Sequence, residues 1–294
     1  MRPPYRPHQT RHRDWHRPLL PRPPRLAWAT ATLGRMNILV TNDDGVDNPG
    51  IWALVRAAKD LANVTVVAPA SNQSGRGAGL SFRKSVAVHE IESRVQGVAC
   101  YAVEGTPGDA AAIGINHVLS NQVDAVVSGI NPGNNTSRNL LISGTFGAAI
   151  IASSNGVKAA AFSTELLGDV DDLLIGQITT GITRELISEE TPQATLFNVN
   201  FPSIVDGMIL GVEESGPTPS LLQMKIEPNN DGGYEIMSRL AVSWDGSIAP
   251  PGTDIDVLRR GRVAITALNG NNLSHVPCDP AVRRMIAAAN RAIG

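Results

Sequence analysis

The sequence predicts an α/β fold: a doubly wound, mostly parallel sheet of Rossmann-like type, with a C-terminal β-hairpin arm and a terminal helix. Three observations predict it. A short apolar run, a helical pattern and a second apolar run follow one another between residues 36 and 69. That is a βαβ unit, which implies a right-handed crossover and parallel strands. Apolar runs then keep alternating with helical patterns as far as residue 202, the signature of a sheet covered by helices. From about 208 to 262 the pattern changes to short strands and turns such as "NNDGG" and "PPGTD", as expected of a hairpin arm.

"MNILVT", 36–41, is the first strand, apolar enough to be buried on both faces. Over 49–62, Ile51, Leu54, Val55, Ala58 and Leu61 recur at helical spacing behind Pro49, a residue suited to the first turn. "VTVVAP" follows at 64–69, and "SVAVHEIE" and "GVACYAVEG" read as two further strands. "GDAAAIGINHVLS" reads as a helix opened by Gly108–Asp109, with Asp109 as its cap. "DAVVSG", 124–129, is another buried strand, and "GTFGAAIIASSNG" a helix with Gly156 past its end. The strand "VKAAAFS", a helix around 170–189 and the strand "ATLFNVNFP" come next. "RVAITAL" returns as a strand, and "DPAVRRMIAAANRAI" is an amphipathic C-terminal helix. No internal repeat is visible.

The 294 residues are 42% hydrophobic and 18% charged, ordinary for a globular protein and enough for one large domain. Aromatics are only 4%, so the core must be built from Val, Ile, Leu and Ala. The two cysteines, Cys100 and Cys278, have no CxxC spacing and suggest neither a zinc knuckle nor a disulfide framework. A cytoplasmic setting is the expectation, and no apolar run approaches the roughly 20 residues of a membrane helix. Residues 1–35 hold eight Arg, seven Pro and one acid. They read as a disordered extension or as a start placed upstream of the true one at Met36; an organelle-targeting or RNA-binding arm is the other reading. The remaining 17 basic and 26 acidic residues leave the body near −9, against −2 for the whole chain. An acidic body argues against broad nucleic-acid binding, and a small anionic substrate would need a local remedy: a metal, backbone N–H groups or a few placed arginines. Residues 36–294 are expected to form one domain, with 208–262 as an oligomerisation arm.

In doubly wound sheets ligands bind beyond the carboxyl ends of the strands. Three strands end in unusual polar loops. The first, "TNDDG", sets Asp43 beside Asp44; adjacent carboxylates are either solvated in an Asx turn or held by a hard cation such as Mg²⁺, Mn²⁺ or Ca²⁺. The second, "SNQSGRGAG", lacks both the Rossmann and the P-loop spacing, but Ser74 offers a hydroxyl to a metal and Arg76 a partner to phosphate. The third, "SGINPGNN", holds Ser128, Asn131, Asn134 and Asn135, neutral groups able to ligate a hard metal or bind phosphate. "ISGTFGAAI" then sets Ser143, Gly144 and Thr145 at a helix start, as a cap or as an anion site. Packing or surface roles suit His89, in a strand, and His117, on a helix face, better than catalysis; His275, in the loop "NNLSHVP", is marginally more interesting.

Taken together, "MNILVTNDDGVDNPGI", "VVAP…SGRG", "EGTPGDA", "VVSGINPGNN", "SGTFGAA" and "GTDIDVLRRGRVAITAL" resemble the SurE family, the stationary-phase survival protein, whose members are metal-dependent 5′/3′-nucleotidases. The resemblance runs from Met36 to about Asn269. It implies one divalent ion per subunit, Mg²⁺ or Mn²⁺, held by Asp43, Asp44, Ser74 and Asn131. It also implies a phosphate near Asn135, Ser143, Gly144 and Thr145, a nucleoside monophosphate substrate, and a homodimer or homotetramer built by exchanging the C-terminal hairpin arm. Asp43 and Asp44 are then the catalytic pair. The chain departs from the family pattern at "GNNTS" after "SGINP", at Gly79 where Ser is common, and at Asn269 where His is common. The resemblance leaves open direct water attack or an aspartyl-phosphate, and leaves as alternatives a phosphatase for another phosphomonoester or short polyphosphate, or a non-catalytic nucleotide or phosphosugar binder.

Overall fold

A computed structural model describes residues 35–165, 173–203, 208–219, 223–229, 231–239 and 249–294. The extension expected over 1–35 lies outside them except for Arg35. Eleven strands and six α-helices follow in chain order: β1 Asn37–Thr41, α1 Pro49–Ala58, β2 Asn63–Pro69, β3 Val88–Ile91, β4 Ala99–Val103, α2 Pro107–Ile113, β5 Ala125–Pro132, α3 Gly144–Ser154, β6 Lys158–Thr164, α4 Leu173–Ile187, β7 Thr195–Phe201, β8 Val212–Glu214, β9 Gln223–Pro228, β10 Tyr234–Arg239, α5 Asp254–Arg259, β11 Val263–Asn269 and α6 Pro280–Ile293. A π-helical turn, Gly114–Val118, prolongs α2, and a 3₁₀ turn, Ser137–Leu141, leads into α3.

Nine strands form one sheet in the order β3-β4-β2-β1-β5-β6-β7-β11-β8. The strands from β4 to β7 run parallel, while β3 and β11 pair antiparallel with their neighbours β4 and β7. The chain leaves β1 toward β2 on one side and later returns to β5 on the other, with Thr41 opposite Ser128. The switch point of the sheet therefore lies between the ends of β1 and β5, where a doubly wound fold opens its ligand crevice.

Alternation along the strands builds two apolar layers. Ile38 and Val40 face α1, α4 and α6, in a cluster with Ile51, Leu54, Phe162, Ile178, Phe197 and Met285. Leu39 faces α2 and α3, with Val67, Ile115, Val126, Phe146 and Ala149. Each such side chain contributes about 1.5–3 kcal/mol by leaving water. Gly114 is needed where α2 meets the sheet, since a Cβ there would lie 2.7 Å from Leu39.

The helix starts follow capping rules. Asn48 accepts from Gly50 N–H ahead of α1, Ser143 from Phe146 N–H ahead of α3, and Asp279 from Ala281 N–H ahead of α6. The start of α2 differs from the sequence reading. Thr106, not Gly108–Asp109, is its cap, and Asp109 closes a capping box by accepting from Thr106 N–H at 2.9 Å. Helix α1 also ends at Ala58, short of the expected residue 62.

The segment expected as an arm, 208–262, divides. Among the described residues, only β9 and β10 form a separate two-stranded sheet. The strand β8 joins the main sheet beside β11, and α5, which the sequence reading did not separate, packs within the body with Asp254, Ile255 and Val257 buried.

Candidate active site

The three polar loops do converge, because β2, β1 and β5 are neighbours in the sheet. Backbone hydrogen bonds tie the first loop to the second, and the second to the approach to α3. Val46 N–H donates to Pro69 O at 2.9 Å, and Gln73 N–H to Asp43 O at 2.7 Å, joining the first loop to the second. Gly77 N–H donates to Ile142 O at 3.0 Å, joining the second loop to the approach to α3. Two glycines make this possible. A Cβ on Gly147 would stand 2.2 Å from Gly77 O, and one on Gly50 would stand 2.0 Å from Ile130 O.

Asp43 lies at the centre and is 4% exposed. The hydroxyl of Thr145 donates to its Oδ1. The carboxylate rests on the first residues of α3, so close that a Cβ on Gly144 would lie 2.8 Å from Asp43 Oδ2. Burial pushes the Asp43 pKa up, and the Thr145 hydroxyl with the Thr145 and Gly144 backbone N–H groups pull against it without prevailing. The anion at the start of α3 is thus a carboxylate of the chain itself.

Asp44 is half-buried, and its Oδ2 is buried without a hydrogen-bond partner. Burial first, and the neighbouring Asp43 second, push its pKa up to about 7. Two adjacent acids, one with an unpartnered oxygen, form a site that is costly to charge without a cation.

Asn131 stands near the end of β5, which runs on to Pro132, beyond the expected residue 129. Its amide nitrogen donates to Gly133 O at 2.5 Å, and its oxygen accepts no hydrogen bond among the described residues. Ser74 is exposed, one residue from the Gln73–Asp43 bond, and its N–H donates to Asn72 Oδ1. Among the described residues no three of His, Cys, Asp and Glu gather as a metal centre. The donors on offer are two carboxylates with amide and hydroxyl oxygens, a set that fits Mg²⁺ or Mn²⁺ and not a soft metal.

Asn135 is buried and engaged. Its amide nitrogen donates to Ser163 Oγ at 3.0 Å, and its backbone is held by Asn198 and Asn200. Its neighbour Asn134, which the sequence reading groups with Asn131 and Asn135 as a possible metal or phosphate partner, has a buried Oδ1 without a partner. Ser143 is buried as the cap of α3, with its Oγ accepting from Phe146.

The sequence reading missed Asp254. This fully buried carboxylate accepts from Ser137 N–H at 2.8 Å and Thr218 N–H at 2.9 Å, clamping the Asn134–Asn135 loop to the segment after β8. The signal was the acid after Thr253, within "GTDIDVLRRG". His89 pairs with Glu104 on the surface, and His275 lies against Gly216.

A family model described as "Survival protein SurE" matches residues 38–219. The chain belongs to the SurE family. Among SurE relatives, the 5′-nucleotidase SurE of Methanopyrus kandleri is 37% identical over 246 residues, covering 79% of this chain and 91% of its own. That of Geobacter sulfurreducens is 34% identical over 239 residues, covering 80% and 88%. The crystal structure of the SurE protein from Aquifex aeolicus superposes with a TM-score of 0.66 at 29% identity, covering 80% of this chain and 94% of that one. The family match spans all three loops and α3 and stops before the β9–β10 hairpin.

Proposed function

We propose that this SurE chain is a metal-dependent phosphomonoester hydrolase, a 5′-nucleotidase that releases phosphate from nucleoside monophosphates. The observation that carries the reading is the Asp43–Asp44 pair at the switch point between β1 and β5, the first buried and the second half-buried with one oxygen left unpartnered. The names of its relatives point to the same substrate class.

In this reading one Mg²⁺ or Mn²⁺ is held by Asp43, Asp44, Ser74 and Asn131. When bound, the ion supplies positive charge to a phosphate oxygen and lowers the pKa of a water. The chain's residues do the rest. Thr145 and the start of α3 fix the rotamer of Asp43. Asp44 Oδ2 has no competing donor, so it is the oxygen free to orient the attacking water and accept its proton. Asn134, beside the anchored Asn135, offers a neutral side-chain amide to the phosphate oxygens, while the first turn of α3 holds Asp43 in place. Burial of this acidic floor excludes water and strengthens each of these contacts.

The reading includes a homo-oligomer assembled through the β9–β10 hairpin. Ile226 and Ile236 pair directly across its strands, and with Met224 and Tyr234 they make an exposed apolar face. Lys225 and Glu227 alternate with them and form an ion pair at 2.5 Å. A lone two-stranded ribbon with one bare apolar face needs a covering surface, and a second copy supplies one. Two unbonded cysteines, Cys100 and Cys278, accord with a cytoplasmic setting. Among the described residues no helix is long and apolar enough to cross a membrane.

The test is a panel of nucleoside monophosphates and simple phosphomonoesters assayed for phosphate release with Mn²⁺, with Mg²⁺ and with chelator. The reading expects release from nucleotides only with metal. Binding without release from any compound would contradict it and support a non-catalytic binder.

A further inference from the structure

We propose that Asp254 is a positioning residue for the substrate phosphate: a buried carboxylate, outside the three polar loops' own chemistry, that fixes the Asn134 amide by holding Ser137. This rests on the reading of Asn134 as a phosphate partner given above. Asp254 is fully buried, and among the described residues its hydrogen bonds all come from neutral groups. Oδ1 accepts from Thr218 N–H, from Thr218 Oγ1 and from Ile255 N–H, while Oδ2 accepts from Ser137 N–H alone. Donors reach both oxygens, so the position needs two acceptors, which a carboxylate has and an amide lacks.

The backbone under Asp254 is held from two sides. Gly216 N–H donates to Gly252 O at 2.9 Å, Asp254 N–H donates to Gly216 O at 2.8 Å, and Gly216 bridges Thr253 in parallel register. These bonds close the two ends of the excursion that carries β9 and β10. Asp254 therefore grips Ser137 from a braced position in the body of the protein.

The loop it grips is anchored on both sides of Asn134. Gly133 N–H donates to Thr164 O at 2.7 Å, and Asn135 is tied to Ser163, Asn198 and Asn200. Ser137 donates its N–H to Asp254 at 2.8 Å and its Oγ to Thr218 O at 2.7 Å. Its φ is +57°, a conformation that side chains other than glycine rarely adopt, so tertiary contacts and not local preference keep it there. Asn134 sits between these anchors with its Oδ1 buried and unpartnered. Loss of the Asp254 contact frees Ser137 to relax and the Asn134 amide to move, whereas Asp43 stays under the control of β1 and Thr145.

Asp254→Asn breaks this contact selectively. Three donors converge on Oδ1, so the amide oxygen keeps that place and the NH₂ group turns to Ser137 N–H, donor against donor.

The test compares three quantities in the full chain: Mn²⁺ affinity, affinity of the Mn²⁺-loaded chain for inorganic phosphate, and kcat/KM for a nucleoside monophosphate. Asp254→Asn should weaken phosphate binding about tenfold and lower kcat/KM about 10–100-fold, with Mn²⁺ affinity unchanged. Asn134→Ala should show the same pattern. The double variant should lose no more than Asn134→Ala alone, because both changes act through one contact. Thr218→Val removes one donor from Oδ1 at constant shape and should give a smaller loss of the same kind; it carries the test if Asp254→Asn does not fold. Losses that add in the double variant, Mn²⁺ affinity that falls in step with phosphate affinity, or unchanged phosphate affinity in the folded variants would overturn the proposal. A parent that binds phosphate but releases none from nucleotides would refute the catalytic reading, while the same pattern of phosphate affinities would still support Asp254 as the positioning residue.

Discussion

The hydroxyl of Thr145 donates to Oδ1 of Asp43, joining residues 102 positions apart. This contact sets the start of α3 under the acidic pair and fixes the carboxylate that the proposed ion would meet first. Thr145→Val should therefore lower metal affinity and turnover together, by about 10–100-fold, as loss of a group that orients a ligand does. Thr145→Ser keeps the hydroxyl and should recover most of both. Manganese titration of phosphate release checks this; equal loss in both variants would mean that the methyl group's packing, not the hydroxyl, matters.

Asp43→Asn removes a ligand and a buried charge without altering volume. Turnover should fall by more than about 100-fold, while the metal-free chain melts no lower than the parent. Retained full turnover would remove Asp43 from the site.

The acidic pair also predicts how stability depends on pH. Folding raises the pKa of Asp43, and that of Asp44 from 3.8 to about 7. The folded chain therefore holds more protons than the unfolded chain between those values. Stability of the metal-free protein should fall as pH rises from about 4 to about 7, and Mn²⁺ should offset the loss because it binds the charged pair in the folded state only. Melting temperatures with manganese and with chelator, across that interval, give the comparison. Parallel curves would contradict the paired-acid account.

Gly147→Ala tests the docking of the second loop. Alanine is the better helix former by about 1 kcal/mol, yet its Cβ would stand 2.2 Å from Gly77 O. The clash should win, giving a net loss of about 1–3 kcal/mol and a weaker metal affinity as the Ser74 loop moves away. A stabilised variant with normal metal affinity would show that the loop has room to retreat.

The hairpin makes its own prediction. Ile226→Lys with Ile236→Lys places two like charges opposite each other on the exposed apolar face. Light scattering should show a smaller assembly than the parent. An unchanged mass would place the subunit contact elsewhere.

Much of the architecture was legible because the parallel strands are continuous apolar runs that need no partner to be recognised, as "MNILVT" and "VKAAAFS" illustrate. What escaped depends on tertiary context. Helix α5 is six residues long and follows "PPGTD", which reads as a turn until Asp254 is seen to hold Ser137 and Thr218. The strand β8 is three residues long and gains its place from β11 and from Asn290 of α6. The start of α2 was readable and misread: Thr106 and Asp109 have the spacing of a capping box.

The site divides in the same way. Asp43 and Asp44 stood out because two adjacent carboxylates after a buried strand conflict with each other. Asn134 did not stand out from Asn135, since only packing decides which amide turns inward to Ser163 and which keeps an unpartnered oxygen. The approach of Gly77 to Gly147 leaves no local mark at all, being one backbone against another 70 residues away.

Diffraction from crystals grown with manganese, measured at the manganese absorption edge, tests the central claim most directly. The account predicts one anomalous peak per subunit, coordinated by oxygens of Asp43, Asp44, Ser74 and Asn131. A peak elsewhere, or none while phosphate release still requires the metal, would contradict it.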